Sequence, residues 1–97
     1  MVSIHEFQKM MRMLYFVRDK QRGEQDTFNW LQAELEELFE ALRDGNIEAA
    51  KEEFADVMAW LASLANITNV DLEKAVLKKY NYLCPKCGTS PCSCPFR

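Results

Sequence analysis

Apolar residues recur at three- and four-residue intervals along most of the chain, a period that predicts α-helices. Over residues 3–20, Ile4, Phe7, Met11 and Leu14 repeat at this spacing, and Ser3 followed by Glu6 fits a capping box at the start. Gly23 is a plausible stop for this first helix. From Trp30 to Trp60 the chain reads WLQAELEELFEALRDGNIEAAKEEFADVMAW, two amphipathic segments joined by Asp44, Gly45 and Asn46. Their apolar stripes are Leu31, Leu35, Leu38, Leu42 and Ala50, Phe54, Val57, Leu61. So short a joint folds one helix back on the other. Asp26 or Thr27 is expected to cap the second helix, which runs to about Asp44, and Asn46 the third, which runs to about Asn66. Asp71 caps a short fourth helix through about Tyr80, with Leu72, Ala75, Val76 and Tyr80 inward.

The pattern predicts an all-α, antiparallel helical bundle of about four helices per chain. A protomer of this size with several apolar faces rarely buries them all alone, so oligomerisation is expected to complete the bundle. The helical period stops near residue 80. Residues 81–97, NYLCPKCGTSPCSCPFR, hold all four cysteines and all three prolines. The expected division is a helical domain over residues 1–80 and a metal-binding tail over 81–97.

Composition narrows the partners. A chain of 97 residues is one domain with a modest core, and 48% hydrophobic residues is ordinary for a globular protein. A net charge of −3 argues against a general nucleic-acid surface, which would be basic. No apolar run approaches the ~18 residues that span a membrane. The first residues alternate apolar with charged and lack a signal peptide's apolar core. A cytoplasmic, soluble protein is the expectation.

Chemistry enters with the acidic pairs. Glu34 and Glu37 lie three apart on the second helix, Glu53 and Asp56 three apart on the third. Residues three apart share a helix face, so each pair aims two carboxylates in one direction. Counted outward from the turn, the pairs lie at similar heights, so four carboxylates can converge. Like charges that close repel by about 1 kcal/mol per pair in water, and more when partly buried. A divalent cation with a preference for oxygen, Mg²⁺ or Mn²⁺, removes that cost. The plainer reading is a solvated acidic face, and Glu36, Glu40, Glu48 and Glu52 fit it. The four named carboxylates differ because they border the apolar stripes and hence the interhelical groove. A di-iron carboxylate bundle is excluded, since it requires Glu-x-x-His pairs and His5 is the sole histidine. The run Met10, Met11, Met13 reads as adaptable core or subunit interface.

An ExxE, fifteen residues, then ExxD resembles the signature of the MazG-type nucleotide pyrophosphohydrolases, the all-α NTP pyrophosphatases. Trp30, Leu31, Glu34, Glu37, Leu38, Glu40, Ala41, Glu53, Ala55, Asp56, Val57 and Trp60 fall in register with it. The run YFVRDKQRG with Thr27 and Phe28 is similar to the short single-domain members. The likeness covers roughly residues 3 to 80. One departure is Ala33, where many members carry the first Glu of a doublet. The resemblance implies a Mg²⁺-dependent pyrophosphohydrolase that cuts nucleoside triphosphates to NMP and pyrophosphate and is at least a dimer. It implies Glu34, Glu37, Glu53 and Asp56 as metal and catalytic residues, and a role for Trp60 against the base. Trp30, at the same end of the quartet, is a second stacking candidate. Arg18, Lys20 and Arg22 approach that end too and suit phosphate charge. In the resemblance the last helix borders the cleft, which makes Lys79 and Tyr80 candidate phosphate contacts. Alternatives are a relative acting on dUTP or phosphoribosyl-ATP, or a non-catalytic interaction module.

The tail is read on its own. Cys84-Pro-Lys-Cys87-Gly88 has the form of a zinc knuckle, and Cys92 and Cys94 complete a four-sulfur set suited to structural Zn²⁺. Two disulfides would require an oxidising compartment. The compact spacing leaves open whether one chain supplies all four ligands or two subunits share them.

Overall fold

The computed structural model describes residues 1–96 as four helices, α1 (Ile4–Arg22), α2 (Glu24–Arg43), α3 (Ile47–Ile67) and α4 (Leu72–Lys79), followed by an irregular tail. Three starts are fixed by side chains. The Ser3 hydroxyl accepts from the Glu6 N–H in a full capping box, Asn46 accepts from the Ala49 N–H and Asp71 from the Lys74 N–H. The α2 start differs from expectation. Neither Asp26 nor Thr27 caps it, for both lie inside the helix, and Gly23 (φ 87°), between the two helices, is at once the C-cap of one and the N-cap of the next. A backbone turn with positive φ is open to glycine at little cost, so one residue suffices to redirect the chain.

α3 is the spine. α1 packs antiparallel along its C-terminal half, where Gln8 meets Asn66. α2 packs antiparallel along it from the Asp44 turn to just past its middle, where Trp30 meets Trp60. The two flanking helices therefore converge near the middle of α3, at the Gly23 joint. Small buried residues on α3, Ala50, Ala62, Ser63 and Ala65, let its neighbours approach closely. α4 folds back on the start of α1, where the Leu72 N–H donates to Gln8 Oε1 at 2.9 Å and the His5 N–H to Glu73 Oε1 at 3.3 Å. Gln8 also donates through Nε2 to Asn66 Oδ1 (3.1 Å) and the Val70 carbonyl (2.8 Å), and Asn66 donates back to the Gln8 carbonyl. This buried, satisfied amide pair locks three elements together.

The apolar stripes are only partly buried within one chain. Leu31 and Ala50 are buried, but Leu35, Leu42, Phe54 and Leu61 remain exposed, and Phe39 is 64% exposed. Met11 is core, whereas Met10 and Met13 face outward. No described helix is long and apolar enough to cross a membrane.

Candidate active site

The site forms where α1, α2 and α3 meet. Carboxylate oxygens of Glu34, Glu37 and Glu53 lie within 4.8 Å of one another, two from α2 and one from α3. Asp56, one turn beyond Glu53, stands at the edge of this trio: its charge acts on both Glu34 and Glu53, and its side chain lines the adjoining cavity. The four carboxylates paired by spacing are thus brought to one region, three of them tightly.

The trio is electrostatically strained. Burial first, then the close approach of the Glu53 and Glu37 carboxyls and the charges on Glu37 and Asp56, push Glu34 up to about 7. At Glu53 the approach of Glu34 lowers the pKa, but burial and the Glu37 and Asp56 carboxylates outweigh it and the net direction is upward. Glu34 Oε2 and Glu53 Oε2 are buried without any hydrogen-bond partner. Polar atoms left so are costly unless something else satisfies them. Hard oxygen donors, clustered and in need of positive charge, fit a divalent cation such as Mg²⁺ or Mn²⁺.

Beside the trio lies a cavity of about 270 Å³ between α1 and α3, lined by Tyr15, Arg18, Asp19, Arg22, Asp56, Ala59, Trp60 and Ser63. Its walls combine two arginines, an indole and two carboxylates. Arg22 donates through Nη1 to Asp19 Oδ1 at 2.8 Å and places its guanidinium 4.7 Å from the Trp60 ring centre. Trp60 also stacks on Trp30, with centroids 5.9 Å apart and planes 14° from parallel. Both indoles therefore share one end of the carboxylate cluster, as the antiparallel register predicts.

Of the remaining candidates, Arg18 and Arg22 reach the cavity. Lys20 instead stands over Phe16, 5.5 Å from its ring centre. Lys79 and Tyr80 are not among the cavity-lining residues. Lys79 stands 5.7 Å over the Tyr80 ring, on a helix fastened to the opposite end of α1. The residue that spacing missed is Asp19, 2% exposed, which holds Arg22 and leaves Oδ2 unpartnered. Its signal was legible as an i,i+3 acid–base pair inside YFVRDKQRG.

The family model for the MazG nucleotide pyrophosphohydrolase domain matches residues 22–88. The chain belongs to that family. The match takes in both halves of the carboxylate cluster, the two tryptophans and the first two tail cysteines. A search of curated proteins gives no match for the chain. A place among the MazG pyrophosphohydrolases makes it a nucleotide pyrophosphohydrolase at family level, with a nucleotide as the fitting substrate.

The tail carries the second cluster of ligand atoms among the described residues, the sulfurs of Cys84, Cys87, Cys92 and Cys94. All four are free of disulfides. Hydrogen bonds from the Thr89 and Ser93 hydroxyls and from backbone N–H groups pull Cys87 down to about 4. The backbone N–H groups of Cys87 and Lys86 lower Cys84, while the crowding of Cys92, Cys87 and Cys84 pushes Cys94 up to about 11.

Proposed function

We propose that the chain hydrolyses nucleoside triphosphates, NTP or dNTP, to the monophosphate and pyrophosphate, in a Mg²⁺-dependent reaction that removes unwanted nucleotides from the cytoplasmic pool. The observation that carries this reading is the carboxylate trio with its two unpartnered buried oxygens, opening beside a cavity that holds two arginines and a tryptophan. Glu34, Glu37 and Glu53, with Asp56 at their edge, would hold Mg²⁺ or Mn²⁺. When bound, such an ion supplies charge neutralisation for the phosphates and Lewis-acid activation of water.

The chain's own groups divide the remaining work. Arg18 and Arg22 offset phosphate charge that the carboxylates would otherwise repel. Trp60, backed by Trp30, offers an aromatic wall for the base, and stacking of this kind is worth about 1–3 kcal/mol. Water attacks the α-phosphorus, the bond to the α,β-bridging oxygen breaks, and pyrophosphate leaves with that electron pair. One carboxylate of the cluster accepts the water's proton. Many family members carry a further carboxyl at the position of Ala33, so here that proton has only the four cluster carboxylates to go to.

The working unit in this reading is a homo-oligomer of residues 1–80, supported by the uncovered stripe of Leu35, Phe39, Leu42, Phe54 and Leu61. The deciding experiment is product analysis across canonical and modified NTPs, with Mg²⁺ or chelator, for wild type and Glu53→Gln. NMP plus pyrophosphate, lost both in chelator and in the variant, is expected. Turnover confined to dUTP or phosphoribosyl-ATP would move the substrate within the family. Silence from a folded protein would leave a non-catalytic interaction module.

A further inference from the structure

From the packing of the tail we infer that Cys84, Cys87, Cys92 and Cys94 of a single chain form a tetrahedral Zn²⁺ site that holds residues 84–94 in shape, independent of the carboxylate site. The sulfurs are spaced as such a site requires. Four Zn–S bonds of about 2.3 Å at tetrahedral angles put neighbouring sulfurs about 3.8 Å apart. Cys84 and Cys94 Sγ are 3.8 Å apart, Cys87 and Cys92 Sγ 3.9 Å, and all four lie within 4.8 Å of one another. A disulfide would require about 2.05 Å. One chain supplies every ligand, so the tetrahedron needs no second subunit.

The tail has no other reason to be ordered. From residue 81 to 96 no residue is buried, and only Cys84, Cys87 and Cys94 are even half-covered. Nor is there a helix or strand among those residues. A defined fold without core or ladder requires a cross-link or an ion to offset its conformational entropy.

Backbone and hydroxyl donors also converge on the sulfurs. The Ser93 N–H donates to Cys87 Sγ and the Cys94 N–H to Cys92 Sγ, each at 3.3 Å. The Thr89 hydroxyl lies 3.1 Å from Cys87 Sγ and 3.0 Å from the Ser93 hydroxyl. The turn itself closes through the Gly88 N–H to the Cys84 carbonyl at 2.7 Å, with Gly88 at φ 73°. Such donors orient and stabilise thiolate ligands around a metal. Four sulfurs in a tetrahedron suit Zn²⁺ or iron. The cluster sits among exposed residues, without the apolar shell that tunes a redox centre, and this favours zinc.

The test is elemental analysis of the full chain purified under reducing conditions, with intact-mass measurement and replacement by Co²⁺. One zinc per chain is expected, along with the thiolate charge-transfer and strong visible bands of tetrahedral cobalt. Stripping the ion should expose Lys86 to trypsin while the helical circular dichroism is kept. Cys87→Ser and Cys94→Ser should each lower zinc occupancy at least tenfold at fixed free zinc, again with helices intact. The inference is overturned by an intact mass about 4 Da low with no metal, by half a zinc per chain, by iron in its place, or by four freely titrating thiols in a metal-free protein whose tail resists trypsin.

Discussion

Glu34 lies where burial and neighbouring carboxyls press on one residue. Its carboxyl is pushed up to about 7. A carboxyl whose pKa is raised on folding favours the folded state most when protonated. Its contribution is therefore present in acid and lost as pH climbs through about 7. The metal-free protein should show part of its melting temperature lost over that window, and Mg²⁺ should restore it on the alkaline side. Calorimetric titration should find Mg²⁺ affinity falling below pH 7, with proton release on binding. A pH-independent affinity between 5.5 and 8 would count against these carboxylates as ligands. The two arginines make a sharper pair. Arg18→Ala and Arg22→Ala should both raise KM for the triphosphate. Only Arg22→Ala should also cost about 1–3 kcal/mol in denaturant unfolding, because it leaves the buried Asp19 carboxylate without its partner. Spacing alone paired the four acidic residues. It could not rank Asp56 as the outer member, which depends on how α2 and α3 turn toward each other, nor show that the Asp19 of the i,i+3 pair with Arg22 is buried, which depends on how α1 leans on α3.

At the scale of elements, the helices were legible to within a few residues because their signals are local: a capping box at Ser3, Asn46 and Asp71 at two later starts, and apolar residues at a helical period. The junction of α1 and α2 was legible only from one side. Gly23 reads as a stop, but its service as the next helix's first boundary follows from where α3 requires both helices to lie. Gly23→Ala should cost about 1–3 kcal/mol through the backbone conformation alone (φ 87°, ψ 170°), since no atom lies within 4 Å of the added Cβ. Chemical denaturation would register it, and a larger loss of turnover than of stability would show that the angle at this joint positions Arg22. The placement of α4 was beyond sequence reach. Its seat depends on Gln8, whose amide bonds to Asn66, Val70 and Leu72, and nothing in the spacing marks a glutamine for that role.

For the whole molecule, the decisive quantity is how little one chain buries. Its buried apolar residues are Met11, Leu31, Ala50, Ala62 and Ala65, three of them alanines. The stripe pattern foretold both helices, and of its positions Leu35, Leu42 and Phe54 stay uncovered within one chain, as does Phe39 beside them. Phe39→Asp should convert the expected oligomer to monomer in size-exclusion chromatography with light scattering. Its melting temperature should lose the concentration dependence that wild type shows. An unchanged assembly would place the interface elsewhere.

Asp56 belongs to two environments at once. It presses on the pKa of Glu34 and Glu53 and it walls the cavity beneath Arg22 and Trp60. Any ligand that alters its charge balance on one side is felt on the other. In the proposed function this couples cation and nucleotide binding, and linkage is reciprocal: whatever factor the ion adds to nucleotide affinity, the nucleotide adds to the affinity for the ion. In the proposed reaction a favourable coupling would make free metal in the surroundings shift the nucleotide concentration at which the site is half occupied.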